Sequence, residues 1–540
     1  MRFALLGSLL LGLGQALTVM PPLSKTAEHL PLAHKAMAFF DSSSDPFFAV
    51  QTSIDMLLEA GFEELDDMQP YSGKVVPGGR YFYTRNKSTL VAFAVGEDYK
   101  PGQGGFKVIG GHTDSPNLRV KPRSKRSAKA AQAIQIGVEC YGGGLWHTWF
   151  DRDLGVCGRV FVRSKSGAIQ QKLVKIDRAI LRVSNLAIHL QSAEERKGFS
   201  PNKEDHLSPI LATAATRSLS QTEGSNDSAE EKEGKKNDEE GKEGTTKDGW
   251  TEYQEPLLIS LLASELQLNI TDIVDFELSL FDIQKAALGG VHSEFVHSGR
   301  LDNLASCFLA VQALVECVDN VELLAGDEDI NMVVLYDHEE VGSSSAVGAA
   351  GPILGEAVDR ISAALSKDGN VSADERDATI HRSFVLSSDQ AHALHPNYAS
   401  KHEKSHQPQM NGGMVIKRNA NQRYATNGVT ALIMREIARR ASLPPVQEFI
   451  VRQDCGCGST IGPLISTATG IRAIDMGCPQ LSMHSIRETM GTCDCKTFLF
   501  VLFCLCRLFL IFLHIIVTSG LKLFKSFFQY FREVDESIDQ

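Results

Sequence analysis

The stretch Asn331–Ser343, NMVVLYDHEEVGS, decides the reading of this chain. An apolar run of strand character ends in three acidic residues around a histidine, then a Val-Gly turn. Two adjacent glutamates at a strand end permit a division of labour. One can ligate a metal while the other moves a proton to and from a metal-activated water. A solvated acidic turn has the same composition, so the reading depends on the segments around it.

Outward from this strand, helical and strand patterns alternate. Asn303–Val318 has helical spacing, Met332–Leu335 is a strand, Ala346–Leu365 is helical and Ser383–Ser387 is a strand. Thr426–Ala441 is helical again and Gln447–Val451 a strand. Near the start, Ala33–Phe40 and Phe47–Ala60 carry apolar residues at helical spacing around a break at Pro46. The strand signals PGGRYFYTR, STLVAFAVG and GGFKVIGGHTDSPNLRVKP follow. This alternation predicts an α/β fold built on a doubly wound sheet, formed by residues 18–125 and 286–540.

Between those parts the texture changes. QAIQIGVECYGG, RVFVRSKSGAIQQKLVKI, EPLLISLLASELQL and DIVDFELSLFD read as strands, and NLAIHLQ as a buried segment. Residues 126–285 are therefore expected to form an inserted, mainly β domain. Within it, Ser218–Gly249 is rich in Glu, Lys, Gly, Ser and Asp, cannot bury enough apolar surface to order itself, and reads as a disordered surface loop.

The net charge of −12 argues against general nucleic-acid binding. Ten acidic and five basic residues between Glu223 and Asp248 supply −5 of it. The 11 cysteines are odd in number and scattered, which suits reduced thiols and a reducing compartment. Two segments complicate that picture. Met1–Leu17 reads as a signal-like segment, with Arg2 ahead of an apolar stretch and Ala16 near a cleavage point, or else as an extended start. Phe498–Val517 is long and apolar enough for a membrane span, although Arg507 near its middle is costly in hydrocarbon. A pyrimidine-rich tract ahead of a splice acceptor would also translate into such a run, so residues 493–521 are read as a retained intron, and no membrane partner is expected. Sequencing the transcript separates the two.

The chemistry-bearing residues sit at strand ends and in loops. His112 and Asp114 follow a strand; Asp302 precedes a helix, where it could cap the helix or bridge two cations. Glu339 and Glu340 form the acidic pair, Asp389 follows a strand with His392 close behind, and His484 follows a strand-like segment. Two histidines, two aspartates and a glutamate, with one glutamate spare, suit a pair of zinc ions sharing a carboxylate.

The chain closely resembles the aspartyl aminopeptidase family of metallopeptidases. The resemblance is carried by GHTDSPNLRVKP, YGGGLWHTWFDRDLGVCGRV, NLAIHLQ, HLSPILAT, GRLDNLAS, DHEEVGSSSAVGA, SSDQAHALHPNY, VIKRNANQRYATN, CGCGSTIGP and LSMHSIRETMGT. These segments span about residues 30–215 and 252–492, and LKLFKSFF resumes the match. The resemblance implies a di-zinc aminopeptidase that releases N-terminal Asp or Glu. His112, Asp302 and Asp389 would hold one zinc, and Asp302, Glu340 and His484 the other, with Co²⁺ or Mn²⁺ as alternatives at one position. Glu339 would be the general base and then acid, and Asp114 would orient His112. Lys417, Tyr424 and His392 would line the substrate pocket. His189 would be presented to a neighbouring subunit, making the inserted domain an oligomerisation module of a tetrahedral dodecamer. A cytoplasmic location is implied, or the secretory pathway if Met1–Leu17 is a true signal. A non-catalytic assembly protein and a membrane-anchored peptidase are the competing expectations.

Overall fold

The computed structural model describes residues 30–215, 249–319, 324–494 and 519–538. The signal-like start, the acidic tract up to Asp248 and the apolar run Phe498–Val517 lie outside the described residues.

The strands Ile330–Tyr336, Phe106–His112 and Thr89–Val95 are buried at every position. A strand sealed on both faces can be apolar throughout, which is why these runs show little alternation. They form the middle of a nine-stranded sheet. Its order is Glu63–Glu64, Arg80–Arg85, Thr89–Val95, Ile330–Tyr336, Phe106–His112, Phe384–Ser388, Arg472–Gly477, Val415–Arg418 and Gln447–Ile450. The four strands from Ile330–Tyr336 to Arg472–Gly477 run parallel, with antiparallel neighbours on either side. One apolar core packs the helices Pro46–Glu59, Leu301–Val318, Gly428–Arg440 and Ser519–Glu536 on one face of this sheet. A second packs Ile353–Leu365 and Ile461–Thr469 on the other. The fold is α/β, as expected.

Leu301–Val318 is apolar and long enough to cross a membrane, but 83% of it is buried, as befits a core helix. Ser519–Glu536 packs on it through Leu521, Phe524, Phe527, Phe528 and Phe531. Lys107 Nζ donates to the carbonyl of Phe528 at 2.8 Å, and Arg532 pairs with Asp329, tying this last helix to the sheet.

The inserted domain is a six-stranded antiparallel sheet ordered Ile169–Leu181, Leu154–Arg163, Ile273–Asp282, Asn117–Ala128, Ala133–Tyr141 and Ile210–Thr213, with its own core. Three expectations change here. Asn117–Ala128 already belongs to this sheet, so the chain crosses over at Ser115-Pro116 rather than at residue 125. Pro256–Leu266 is a helix, not a strand: Pro256 opens it, the Glu255 side chain accepts from the Leu257 N–H, and Leu258, Ile259, Leu262 and Ala263 face the core. NLAIHLQ is not buried. It forms a short turn, Ile188–Leu190, with Leu186, Ile188 and Leu190 exposed by 48%, 61% and 72%.

A third, five-stranded sheet was not anticipated. Its order is Ala287–Gly289, Phe295–Ser298, Glu488–Gly491, Pro479–Leu481 and Ala391–His392. The helix after Glu340 also starts later than its pattern indicated, at Ile353, because Gly351 and Pro352 interrupt it.

Both edges of the anomalous run are seated in the core. The Asp494 carboxylate accepts the N–H groups of Asn411 and Gly413 at 2.7 and 3.0 Å, and Leu521 is buried. A Cβ added to Gly520 would lie 3.1 Å from the Asp494 carbonyl oxygen, so the chain leaves and re-enters at neighbouring points. Deleting 495–518, with Asp494 joined to Ser519 directly or through a short glycine link, is expected to leave a folded protein with an unchanged thermal midpoint. A collapse of that midpoint in differential scanning calorimetry would show the segment to be structurally required.

Candidate metal centre

Three neighbouring parallel strands end at one edge and deliver the acidic and histidine side chains there. His112 closes Phe106–His112 and pairs in register with Tyr336, the last residue of the strand before Asp337-His338-Glu339-Glu340. Asp389 follows Phe384–Ser388, which pairs on the other side of Phe106–His112. The carboxyl ends of parallel strands are the usual ligand edge of such sheets. Asp302 comes from the start of Leu301–Val318, and His484 from the hairpin between Pro479–Leu481 and Glu488–Gly491.

Asp302 is not a helix cap. Its backbone departs from helical values, and its two carboxylate oxygens face two different histidines. Oδ1 lies 3.4 Å from His112 Nε2, and Oδ2 lies 3.6 Å from His484 Nε2. Asp389 Oδ1 is 3.6 Å from His112 Nε2, and Glu340 Oε2 is 3.4 Å from His484 Nε2. Three groups of side chains among the described residues come close enough to hold a metal, His112–Asp302–Asp389, Asp302–Glu340–His484 and His112–Glu339–Glu340; the first two form ligand sets that share Asp302. Glu339 Oε2 stands 3.9 Å from His112 Nε2, beside both sets.

These spacings fit a metal. Tetrahedral zinc with ligands near 2.0 Å spaces them about 3.3 Å apart. Asp302 Oδ1 and Glu340 Oε1 are buried with no hydrogen-bond donor among the described residues, a costly state unless a cation satisfies them. Each histidine also has its other nitrogen engaged, as ligating imidazoles require. His112 Nδ1 is 3.0 Å from the Asp114 carbonyl, and His484 Nδ1 is 3.1 Å from the Gly143 carbonyl.

The His112 Nδ1 contact is to the Asp114 carbonyl, while the Asp114 carboxylate lies 3.4 Å from Nδ1. The carboxylate has other work. Oδ1 and Oδ2 accept the N–H groups of Glu339 and Glu340, both at 3.1 Å, and Oδ2 also accepts the Tyr141 hydroxyl at 2.7 Å. Asp114 thus fixes the backbone of the acidic pair as well as the imidazole.

Burial pushes Glu339 up to about 8; His112 opposes this, while Asp389, Asp302 and Asp114 add to it. Glu340 is raised by burial and then by Asp302. Burial would depress His112, but Glu339 and the carboxylates of Asp114, Asp302 and Asp389 hold it well above its usual value. Burial likewise opposes the Asp389 carboxylate, yet Lys417 and His112 bring it well below the carboxylate range. A centre this rich in buried carboxylates calls for compensating positive charge.

Lys417 is buried, and its Nζ donates to Asp389 Oδ2 at 2.8 Å and to the Gln390 carbonyl at 2.9 Å. It therefore braces a ligand, and an ammonium keeps a third proton for another acceptor. Tyr424 is buried with its ring 5.2 Å from Nζ. His392 is exposed at the mouth of the site, edge-on to Phe449 at 5.5 Å, and the Lys417 charge lowers its pKa. His189 stands on the exposed Ile188–Leu190 turn, away from the ligand sets of its own chain.

Sequence reasoning passed over Tyr141 and the glycines after it. Gly142 has φ +75°, and a Cβ there would come within 3.2 Å of the Glu340 Cβ, so YGGG lets the inserted domain approach both half-sites. Tyr141→Phe leaves one Asp114 oxygen without its hydroxyl donor. It is expected to cost about 1.5–3 kcal/mol, read as a lower denaturation midpoint. A midpoint equal to wild type would mean that the hydroxyl contributes nothing.

A sequence model of the family described as Aminopeptidase I zinc metalloprotease (M18) matches residues 39–503. The aspartyl aminopeptidase of Aspergillus oryzae is 44% identical over 523 residues, covering 95% of this chain and 99% of that protein. Among solved structures, a chain of the Ape4 and Nbr1 complex superposes with a TM-score of 0.82 at 39% identity, covering 95% of this chain and 89% of that one. The Saccharomyces cerevisiae mApe1 dodecamer contributes a chain with a TM-score of 0.75 at 28% identity, covering 94% of this chain and 99% of that one. With its ligand sets at the carboxyl edge of the sheet and matches that run nearly end to end, this chain belongs to the aminopeptidase I family of zinc metalloproteases.

Proposed function

We propose that this chain is a two-zinc aspartyl aminopeptidase that releases N-terminal Asp or Glu from peptides as part of a homo-oligomer. The observation that carries the two-metal reading is Asp302, whose two oxygens each face a different histidine. His112, Asp302 and Asp389 would hold one ion, and Asp302, Glu340 and His484 the other. Bound zinc supplies a Lewis acid for the scissile carbonyl and lowers the pKa of the attacking water.

The chain's own residues do the rest. Glu339 is the spare carboxylate beside both ligand sets; its Oε2 takes the proton from the attacking water and returns it to the leaving amine nitrogen. Asp114 holds Glu339 in place through its backbone N–H. Lys417 offers its remaining proton to the acidic side chain of the substrate, with the Tyr424 ring beneath it. His392 sits close by, edge-on to Phe449. The name of the Aspergillus relative supports the acidic preference.

The exposed Leu186, Ile188 and Leu190 support an interface in the inserted domain, since apolar side chains gathered on one exposed turn mark contact sites. His189, between them, would then serve a neighbouring copy's pocket. The yeast relative solved as a dodecamer supports the same assembly here. Cys140, Cys157, Cys307, Cys317, Cys455 and Cys457 are free thiols, which supports a reducing, cytoplasmic setting.

Glu339→Gln is expected to lower kcat on an acidic aminoacyl substrate by about 10²–10⁴-fold, with two zincs per chain retained in elemental analysis. Full activity in that variant would remove Glu339 from proton transfer. Lys417→Ala should reduce kcat/KM for Asp and Glu substrates at least about 100-fold more than for Leu substrates. Any common loss would report its bond to Asp389. Equal losses on both classes would leave Lys417 with the bracing role alone.

A further inference from the structure

Glu488 takes no part in the chemistry above, yet it is 2% exposed and lies between two ligand-bearing segments. Its Oε2 accepts the backbone N–H of Asp302 at 3.0 Å. Its Oε1 accepts the backbone N–H of His484 at 2.8 Å and the side-chain amide of Gln480 at 3.3 Å. One buried carboxylate thus joins the main chains of two residues that are 182 positions apart and face each other across one ligand set.

We propose that Glu488 is a positioning residue that sets the spacing of Asp302 and His484, and through it the metal affinity of the half-site they form with Glu340. The proposal rests on the two-zinc reading. Three features carry it. Both anchored residues have backbones that a regular element would not hold: Asp302 departs from helical geometry, and His484 has φ +66°, the left-handed region that favours glycine. Each oxygen of this carboxylate accepts a backbone N–H from a different ligand segment. The anchor is also continued. Gln390 Nε2 donates to Gln480 Oε1 at 3.4 Å, and Gln390 follows Asp389 and carries the carbonyl that Lys417 grips. Glu488, Gln480 and Gln390 are all buried, so the chain of bonds runs behind the centre from His484 to Asp389.

Glu488 and Asp114 form a complementary pair. Asp114 fixes the backbones of Glu339 and Glu340, and Glu488 fixes those of Asp302 and His484. All three ligands of the second set therefore have their main chain held by a buried carboxylate. A glutamine at 488 keeps the size but not the function, because its amide nitrogen donates and would confront one of the two N–H groups.

The test measures zinc stoichiometry by elemental analysis and the affinity of each site by chelator competition, on the full chain. Wild type, Glu488→Gln, Glu488→Ala and Asp329→Asn are compared. Asp329→Asn removes a buried carboxylate paired with Lys107 and Arg532, far along the chain's packing from the ligands, and serves as a control for general destabilisation. Both Glu488 variants are expected to keep the tighter zinc and to hold the second about 10–100-fold more weakly. Asp329→Asn should lower the thermal midpoint and leave both affinities unchanged. If Glu488→Ala does not fold, Glu488→Gln alone decides. Wild-type affinities at both sites in that variant, or equal weakening of both, would overturn the proposal. Fewer than two zincs in the wild-type protein would overturn the two-zinc reading itself, and that failure is visible before any variant is made.

Discussion

Six acidic side chains share one buried region: Asp114, Asp302, Glu339, Glu340, Asp389 and Glu488. Keeping so many carboxylates away from water is the constraint on which the surrounding structure depends. Burial drives Glu339, Glu340 and Glu488 toward protonation, and neighbouring carboxylates add to the effect. The protein meets the constraint in three ways. Asp114 and Glu488 receive backbone N–H groups. Asp389 receives the Lys417 ammonium. Asp302 and Glu340 keep oxygens without donors, which a bound cation would satisfy.

The sheet order supplies the geometry this requires. Because Ile330–Tyr336, Phe106–His112 and Phe384–Ser388 are parallel neighbours, their carboxyl ends bring His112, the acidic pair and Asp389 together without long loops. The strands carry little chemistry themselves. They are rigid, fully buried supports, and the loops at their ends are short enough to inherit that rigidity. Asp302 and His484 arrive from outside this set, from a helix start and a hairpin. Both need an added anchor to hold an irregular backbone, and the Glu488 carboxylate is bonded to both.

Much of the α/β scaffold was legible because its strands and helices are long and periodic. NMVVLYDHEEVGS predicted both a buried strand and a paired acidic turn, and the structure places both there. The failures have physical reasons. EPLLISLLASEL is apolar at so many positions that its period does not distinguish strand from helix; Pro256 at its head was the overlooked signal. NLAIHLQ looked buried because its apolar residues suit a core, whereas they face outward within one chain. The third sheet is built of strands two to four residues long, too short to carry a pattern. Tyr141 and Glu488 were missed for another reason. Their bonds to the centre run to a second carboxylate and to backbone N–H groups, and no spacing rule marks such partners.

The inserted domain belongs to the centre as much as the α/β domain does. Tyr141 donates to Asp114, the Gly143 carbonyl engages His484, and the Leu145 N–H donates to the His484 carbonyl at 2.9 Å. One short segment, YGGGL, therefore touches both the side that carries Glu339 and the side that carries His484. It leads out of the strand Ala133–Tyr141, and the same domain carries the exposed Ile188–Leu190 turn. A displacement of that domain would be felt at Asp114 and at His484 together, because the bonds that hold it there are bonds to those residues. The close approach at Gly142 leaves that segment little room for larger side chains, so beyond Tyr141 it meets the centre through backbone rather than side chains.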